Sequence, residues 1–168
     1  SMRLVENVKV LDVDSGKDTN RTVVTILGDP MAVLESAYIG IKAASELIDM
    51  NKHQGTHPRI GATDVCPIIP VSEVSDEECI NLTKILGKRV GEELKIPIYL
   101  YEKSTQYKNR TKLPVIRSGE YEGLAKKLSD PEWKPDFGPN IMHPQAGATV
   151  IGCRDFLIAY NINLNTKD

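Results

Sequence analysis

The stretch from Asp49 to Asp64 constrains the fold of this chain more than any other. Ahead of it, Met31 to Met50 repeats apolar residues at helical spacing, with Val33, Ala37, Ile41, Ala44, Leu47 and Ile48 near one face. Behind it, Val65-Cys66-Pro67-Ile68-Ile69-Pro70-Val71 is apolar throughout, as a strand covered on both faces would be. Gly55, Pro58 and Gly61 prevent the helix from running on between them. A helix must therefore hand over to a strand through a polar connection that holds His53, His57, Arg59 and Asp64. Connections of this kind, fixed at both ends by regular elements, are where chemistry concentrates.

The remaining elements follow from the same kind of pattern. Val8 to Val13 and Arg21 to Leu27 read as two strands joined by turn formers from Asp14 to Asn20, a hairpin with a long loop. Pro30 supports a helix start. The two prolines of Val65–Val71 place that strand at an edge or a bulge. Ser75-Asp76-Glu77-Glu78 is a capping box that opens a helix to about Leu94, with Cys79, Leu82, Ile85, Leu86 and Val90 inward. Pro97 to Tyr101 is a strand, Glu102 to Leu113 a basic loop, and Tyr121 to Leu128 a short helix. Asp130 to Gly147 is too long for an ordinary connection, which points to a functional loop. Ala148–Cys153 and Phe156–Leu164 read as a closing hairpin. The expected fold class is α/β (α+β): a sandwich in which a mixed β-sheet carries its helices on one face.

Composition removes several function classes. At 168 residues the chain suits one compact domain, and its net charge of −2 offers no global field for nucleic acid or an anionic membrane. No apolar run reaches membrane-spanning length. The odd, scattered cysteines Cys66, Cys79 and Cys153 argue against a disulfide framework and for buried thiols in a reducing, cytoplasmic setting.

The candidate chemistry lies in three clusters. His53 and His57 have a zinc-like spacing, but the breakers between them undo the helical geometry, and no metal is expected. They also suit general acid–base work, since imidazole can take and return a proton in one turnover. Arg59 could fork onto a carboxylate, and Asp64 could orient a histidine. A solvated loop remains equally open. Asp12, Asp14, Asn20 and Arg21 form a second cluster, though Asp14 and Asn20 satisfy a turn well and that reading is the better one on the residues alone. The third is Asp136-Phe137-Gly138-Pro139-Asn140-Ile141-Met142-His143-Pro144-Gln145-Ala146-Gly147, whose glycines and apolar side chains (Phe137, Ile141 and Met142) would admit a flat ligand, or which packs as a rigid surface loop. Lys84, Lys88, Lys126 and Lys127 are assigned to solvated helix faces.

Several of these runs together resemble the glutamate formimidoyltransferase (formiminotransferase) family. They are Asp12 to Ser15, Asn20 to Val23, His53 to Pro67, Pro97 to Tyr101, Lys134 to Pro139 and Tyr160 to Leu164. The resemblance covers nearly the whole chain and is to the amino-terminal subdomain, so residues 1–168 are expected to form that unit. It implies transfer of a formimino or formyl group between N-formimino-glutamate and N5 of tetrahydrofolate, a co-substrate used in histidine breakdown and one-carbon metabolism. It places the family's catalytic histidine on His57 and its folate loop on Gly138 to Gly147, and implies a cleft closed by a carboxyl-terminal subdomain. Asp14, Asn20, Arg21, Arg59 and Asp64 are then the expected substrate contacts, the two arginines as carboxylate clamps. Expected partners are folate and N-formimino-glutamate, with a second copy of the chain or the missing subdomain, and neither nucleic acid nor membrane.

The sequence departs from the family in two places. A strand end, a loop and a helix of the family pattern read as missing between Glu6 and Asn7, whether deleted or left out of the sequence. The carboxyl-terminal subdomain does not follow Asp168. A non-catalytic folate-binding or regulatory relative, or a subdomain inactive without its other half, is the competing expectation.

Overall fold

A computed structural model describes residues 2, 5–158, 162 and 165–166. Strands β1 (Val8–Gly16) and β2 (Arg21–Gly28) form an antiparallel hairpin. Helix α1 (Pro30–Leu47) leads through the polar connection to β3 (Val65–Ile68). Helix α2 (Asp76–Glu93), β4 (Ile98–Leu100), the short helices α3 (Leu113–Arg117) and α4 (Glu120–Leu128), and β5 (Thr149–Cys153) complete the order. The fold is α/β, with antiparallel and parallel pairing kept in two separate sheets. One is β1–β2, and the other is a parallel sheet in the order β3–β5–β4.

The parallel sheet explains the core. Ile98, Leu100 and Ile151 point to one face, where Leu34, Ala37, Tyr38 and Ile41 of α1 meet Leu86 and Val90 of α2. Tyr99, Tyr101 and Val150 point to the other, where they meet Ile116, Leu124 and Leu128 of α3 and α4. The two long helices thus share one face, as expected, and the short helices add a cover on the second. Full burial of β4 and β5 on both sides accounts for their uninterrupted apolar character. Strand β3 lies at an edge, where Pro67 withholds no needed donor.

Three expectations change. The closing hairpin does not form from β5, because β3 and β4 already occupy both of its edges. Phe156 to Ile158 carry no strand, and residues 159–161, 163 and 164 of that expected strand lie outside the described residues. Ile85 and Leu47 are exposed rather than inward. The face of α2 turned to the core instead presents Cys79, Thr83, Leu86, Gly87, Val90 and Gly91, because the helix backbone approaches Phe137 and Gly138 too closely for larger side chains. Lys127 is not on a solvated face. It is part-buried, lies 4.4 Å from the Trp133 ring centre and donates to the Ile116 carbonyl, and burial lowers its pKa.

Cys79 and Cys153 are buried and Cys66 is partly buried, all three as free thiols. Burial pushes the thiols of Cys66 and Cys79 up to about 12, so neither supplies a thiolate at neutral pH.

The capping box at the start of α2 forms in full. The Ser75 hydroxyl accepts from the Glu78 amide at 3.2 Å, and the Glu78 carboxylate accepts from the Ser75 amide at 2.8 Å. Ser75→Ala is expected to lower stability by about 1 kcal/mol, measured by urea denaturation.

Candidate active site

The connection after α1 is held in place by backbone contacts on two sides. On one side the β1–β2 loop lies against it. Asn20 donates from Nδ2 to the Gln54 carbonyl at 2.6 Å, and the Thr56 amide donates to the Asp18 carbonyl at 3.3 Å. A Cβ at Gly55 would sit 2.3 Å from the Thr19 carbonyl oxygen, so only glycine permits this approach. Asn20 takes the left-handed conformation (φ 47°), which asparagine tolerates. On the other side lies the end of the long loop. Met50 donates to the Gln145 carbonyl and Ala62 to the Ala146 carbonyl, both at 2.9 Å, and Asn51 Nδ2 donates to the Pro144 carbonyl at 2.8 Å. Gly147 (φ +70°) crosses against Gly61 and Ile60, where a side chain has no room.

This frame brings His53 and His57 to the start of β2. His53 Nε2 is 2.8 Å from the Asn20 carbonyl, which makes it the donor. His57 is half-buried. Its Nδ1 lies 2.8 Å from the Pro58 carbonyl, and Nη1 of Arg21 lies 2.6 Å from its Nε2 and 3.1 Å from its Nδ1. A carbonyl only accepts, so the Pro58 contact assigns the ring proton to Nδ1 and leaves Nε2, the nitrogen nearer Arg21, as the acceptor. His57 therefore presents its lone pair at Nε2, on the side facing Arg21.

The charges around the ring are ordered. Asp64 accepts the Ile60 amide on Oδ1 at 3.0 Å and pairs with Arg117, both side chains being about nine-tenths buried. Burial lowers the pKa of Arg21, nearby Arg117 lowers it further, and Asp64 opposes both. Arg59 is held separately: Glu122 takes it at 2.7 and 2.9 Å, and Glu120 at 3.0 Å. The bond to Glu122 is the main cause of the raised pKa of Arg59 and the lowered pKa of Glu122. A polar cleft of about 440 Å³ opens here, lined by Gln54, Gly55, Arg59, Gly119, Glu120 and Glu122.

The expected site residues divide accordingly. Asn20, Arg21, His57 and Asp64 come together. Arg59 borders the adjoining cleft. Asp14 is exposed and makes no hydrogen bond or ion pair among the described residues, but it shares Arg21's face of the hairpin, since Asp14 pairs with Val23 and Gly16 with Arg21. In the long loop, Gly138 packs against α2 and Ile96. Pro139 is half-buried, Asn140 and Ile141 are exposed, and Met142 packs under α4 with the second core cluster. His143 to Gly147 lie directly against the histidine connection. Arg117, Glu120 and Glu122 were not legible as site residues. Arg117 stands 53 positions from Asp64 in a short helix, and no local spacing links the two.

His143 has a structural task. Its Nδ1 accepts from the amides of Gln145 at 3.2 Å and Ala146 at 2.9 Å, and burial lowers its pKa. Both bonds need an unprotonated Nδ1. A histidine pKa depressed by folding adds stability that is complete above the unfolded value and is lost as pH falls through the folded one. The wild type is expected to lose melting temperature between about pH 6.5 and the lower folded pKa more steeply than His143→Asn, which keeps an acceptor without the titration. Thermal melts at several pH values check this.

Among the described residues, no group of three His, Cys, Asp or Glu side chains is placed to hold a metal ion, and no helix is long and apolar enough to cross a membrane.

The sequence matches the family described as formiminotransferase domain, N-terminal subdomain, over residues 1–154. It is 56% identical over 155 residues to a formimidoyltransferase-cyclodeaminase of Gallus gallus, covering 92% of this chain and 29% of that protein. It is 49% identical over 166 residues to a glutamate formimidoyltransferase of Thermoplasma acidophilum, covering 98% of this chain and 54% of the relative. A glutamate formimidoyltransferase of Streptococcus pyogenes is 44% identical over 164 residues, with 98% and 55% covered. The chain thus spans less than a third of the cyclodeaminase and about half of the two transferases. With this match over most of its length, the chain belongs to the formiminotransferase family, in the part that forms the amino-terminal subdomain.

Proposed function

We propose that this chain carries the acid–base half of a formimino-transfer site, moving a formimino (or formyl) group between N-formimino-glutamate and N5 of tetrahydrofolate. The observation that carries the reading is the state of His57: its Nδ1 proton is tied to the Pro58 carbonyl, and its Nε2 lone pair is turned to a cationic, part-buried site.

The chemistry needs one mobile proton. N5 bonds to the formimino carbon and sheds its proton to Nε2. The tetrahedral carbon then breaks its bond to the glutamate nitrogen, which takes the proton back from Nε2. A substrate N–H takes the place on Nε2 that Arg21 now fills. Asp64 holds the Ile60 amide and so fixes the backbone that carries His57. Arg21 and Arg59 are the proposed contacts for substrate carboxylates, Arg59 once Glu120 and Glu122 release it. Asp14 and Asn20 border the same end of the hairpin. Residues Gly138, Pro139, Asn140, Ile141, Met142, His143, Pro144, Gln145, Ala146 and Gly147 are proposed as the folate side of the cleft, because that loop ends against the histidine connection.

The relatives are about two to three times longer, which favours a cleft completed by a carboxyl-terminal half. The second reading is a folate-binding or regulatory relative without turnover. Turnover assays of the chain, with and without the carboxyl-terminal half of a transferase relative, separate them. Transfer that needs both halves is the expected result. Transfer in neither case overturns the catalytic reading.

A further inference from the structure

The charges on either side of His57 are unequal. Glu120 and Glu122 give Arg59 two carboxylates for one guanidinium. Asp64 is ion-paired with Arg117, and the charges of both act on nearby Arg21. Arg117 uses Nε and Nη2 on Asp64, while Arg21 hydrogen-bonds only through Nη1, to His57, among the described residues. Arg21 thus keeps Nε and Nη2, and Arg117 keeps Nη1, for another acceptor. The cations are part-buried, so screening by solvent is weaker than at the surface.

We propose that Arg21 and Arg117 form a carboxylate-binding subsite beside His57, with Asp64 holding Arg117 in position. Arg117 is the new member of the site. The planar guanidinium offers paired donors that match a carboxylate, and a free carboxylate would restore charge balance at a locus with one cation in excess. Arg59 sits where the balance is already negative, so an incoming anion meets less opposition at the Arg21–Arg117 side. The subsite stands on this charge count, and only the identity of its natural carboxylate rests on the transferase reading. The carboxylate of a glutamate-type donor, anchored there, would present its nitrogen to Nε2 of His57.

Glutarate, its neutral analogue glutaramide and inorganic phosphate are the probes, titrated into the chain with the ring 15N and 1H signals of His57 as the reporter. Glutarate is expected to shift those signals saturably, and glutaramide is expected to leave them in place. Arg117→Gln is expected to weaken glutarate at least roughly tenfold, the scale of a lost charge-assisted bond. Lys52→Gln, an exposed cation, is expected to change nothing. Should Arg117→Gln not fold, Arg117→Lys keeps the charge next to Asp64 and loses the fork, and weaker glutarate at an unchanged melting temperature supports the subsite. Glutarate binding unchanged in both Arg117 variants overturns it. So does equal binding of glutaramide, or tighter binding of phosphate than of glutarate. Glutarate binding through Arg117 in a chain that shows no formimino transfer, even when completed by the other half, would leave the subsite standing and remove the transferase reading.

Discussion

His57→Ala is expected to lower the formimino-transfer turnover number by roughly 10²–10⁴-fold in the protein completed by a carboxyl-terminal half, with a much smaller change in KM. The reason is the position of one lone pair. His57 is tied at Nδ1 by its own following carbonyl and leaves Nε2 free of it, and in the proposed mechanism Nε2 receives the N5 proton and returns it. Alanine leaves substrate binding largely to other groups but gives the proton no fixed carrier. His53→Ala supplies the contrast. His53 uses Nε2 on the Asn20 carbonyl and braces the β1–β2 loop, so its loss is expected to cost less than tenfold in turnover, mainly through a less ordered loop. Initial rates over a matrix of both substrates give kcat and KM for each variant. A His57→Ala enzyme within tenfold of the wild type would remove this histidine from the proton path.

The second large effect is on stability, at Arg110. Its side chain is 1% exposed and bonds to Asp136 at 3.2 Å, and to the carbonyls of Glu132 at 2.6 Å and Lys134 at 2.9 Å. Its guanidinium carbon lies 4.2 Å from the Tyr107 ring centre, 5.3 Å from that of Tyr99 and 5.6 Å from that of Trp133. It adds to the direct bonds that Ile98, Tyr99 and Leu100 of β4 make with the start of the long loop. Burial raises the pKa of Asp136, opposed by the Leu100 amide and Arg110. Arg110→Ala strands that carboxylate and two backbone carbonyls, and is expected to cost about 3–5 kcal/mol. The double substitution Arg110→Met with Asp136→Asn is expected to recover part of the loss, because no buried charge is left alone and the Leu100 amide keeps an acceptor. Urea denaturation of the two variants measures the difference.

Arg110 also shows why parts of the molecule were not legible in the sequence. Glu102 to Leu113 reads as a polar, basic loop, and a buried arginine within it leaves no periodic trace. Its hydrogen-bond partners all lie more than twenty positions away, set by tertiary packing. Arg117 is hidden in the same way. Local signals fared better. The capping box, the proline at the start of α1 and the proline-bearing edge strand each act within a few residues, and each appears where expected. Ile85 was misplaced because small residues, not large ones, face the core where α2 comes closest to its neighbours. The expected hairpin after β5 failed for a topological reason, since a parallel strand with two neighbours has no edge to offer. At the candidate site, the breakers between Met50 and Val65 fixed the position of the connection, but spacing alone could not tell His53 from His57. In the structure His53 meets the Asn20 carbonyl, whereas His57 meets both the Pro58 carbonyl and Arg21, a difference that fits the proposed roles.

The most direct test follows the carbon itself. N-formimino-glutamate labelled with 13C at the formimino carbon is mixed with tetrahydrofolate, this chain and a carboxyl-terminal half from a transferase relative, and the label is followed by NMR. The account predicts that the label moves to N5 with loss of the glutamate-bound signal, and that His57→Ala slows this at least roughly a hundredfold. A label that stays on glutamate, or that moves equally fast without His57, would contradict it.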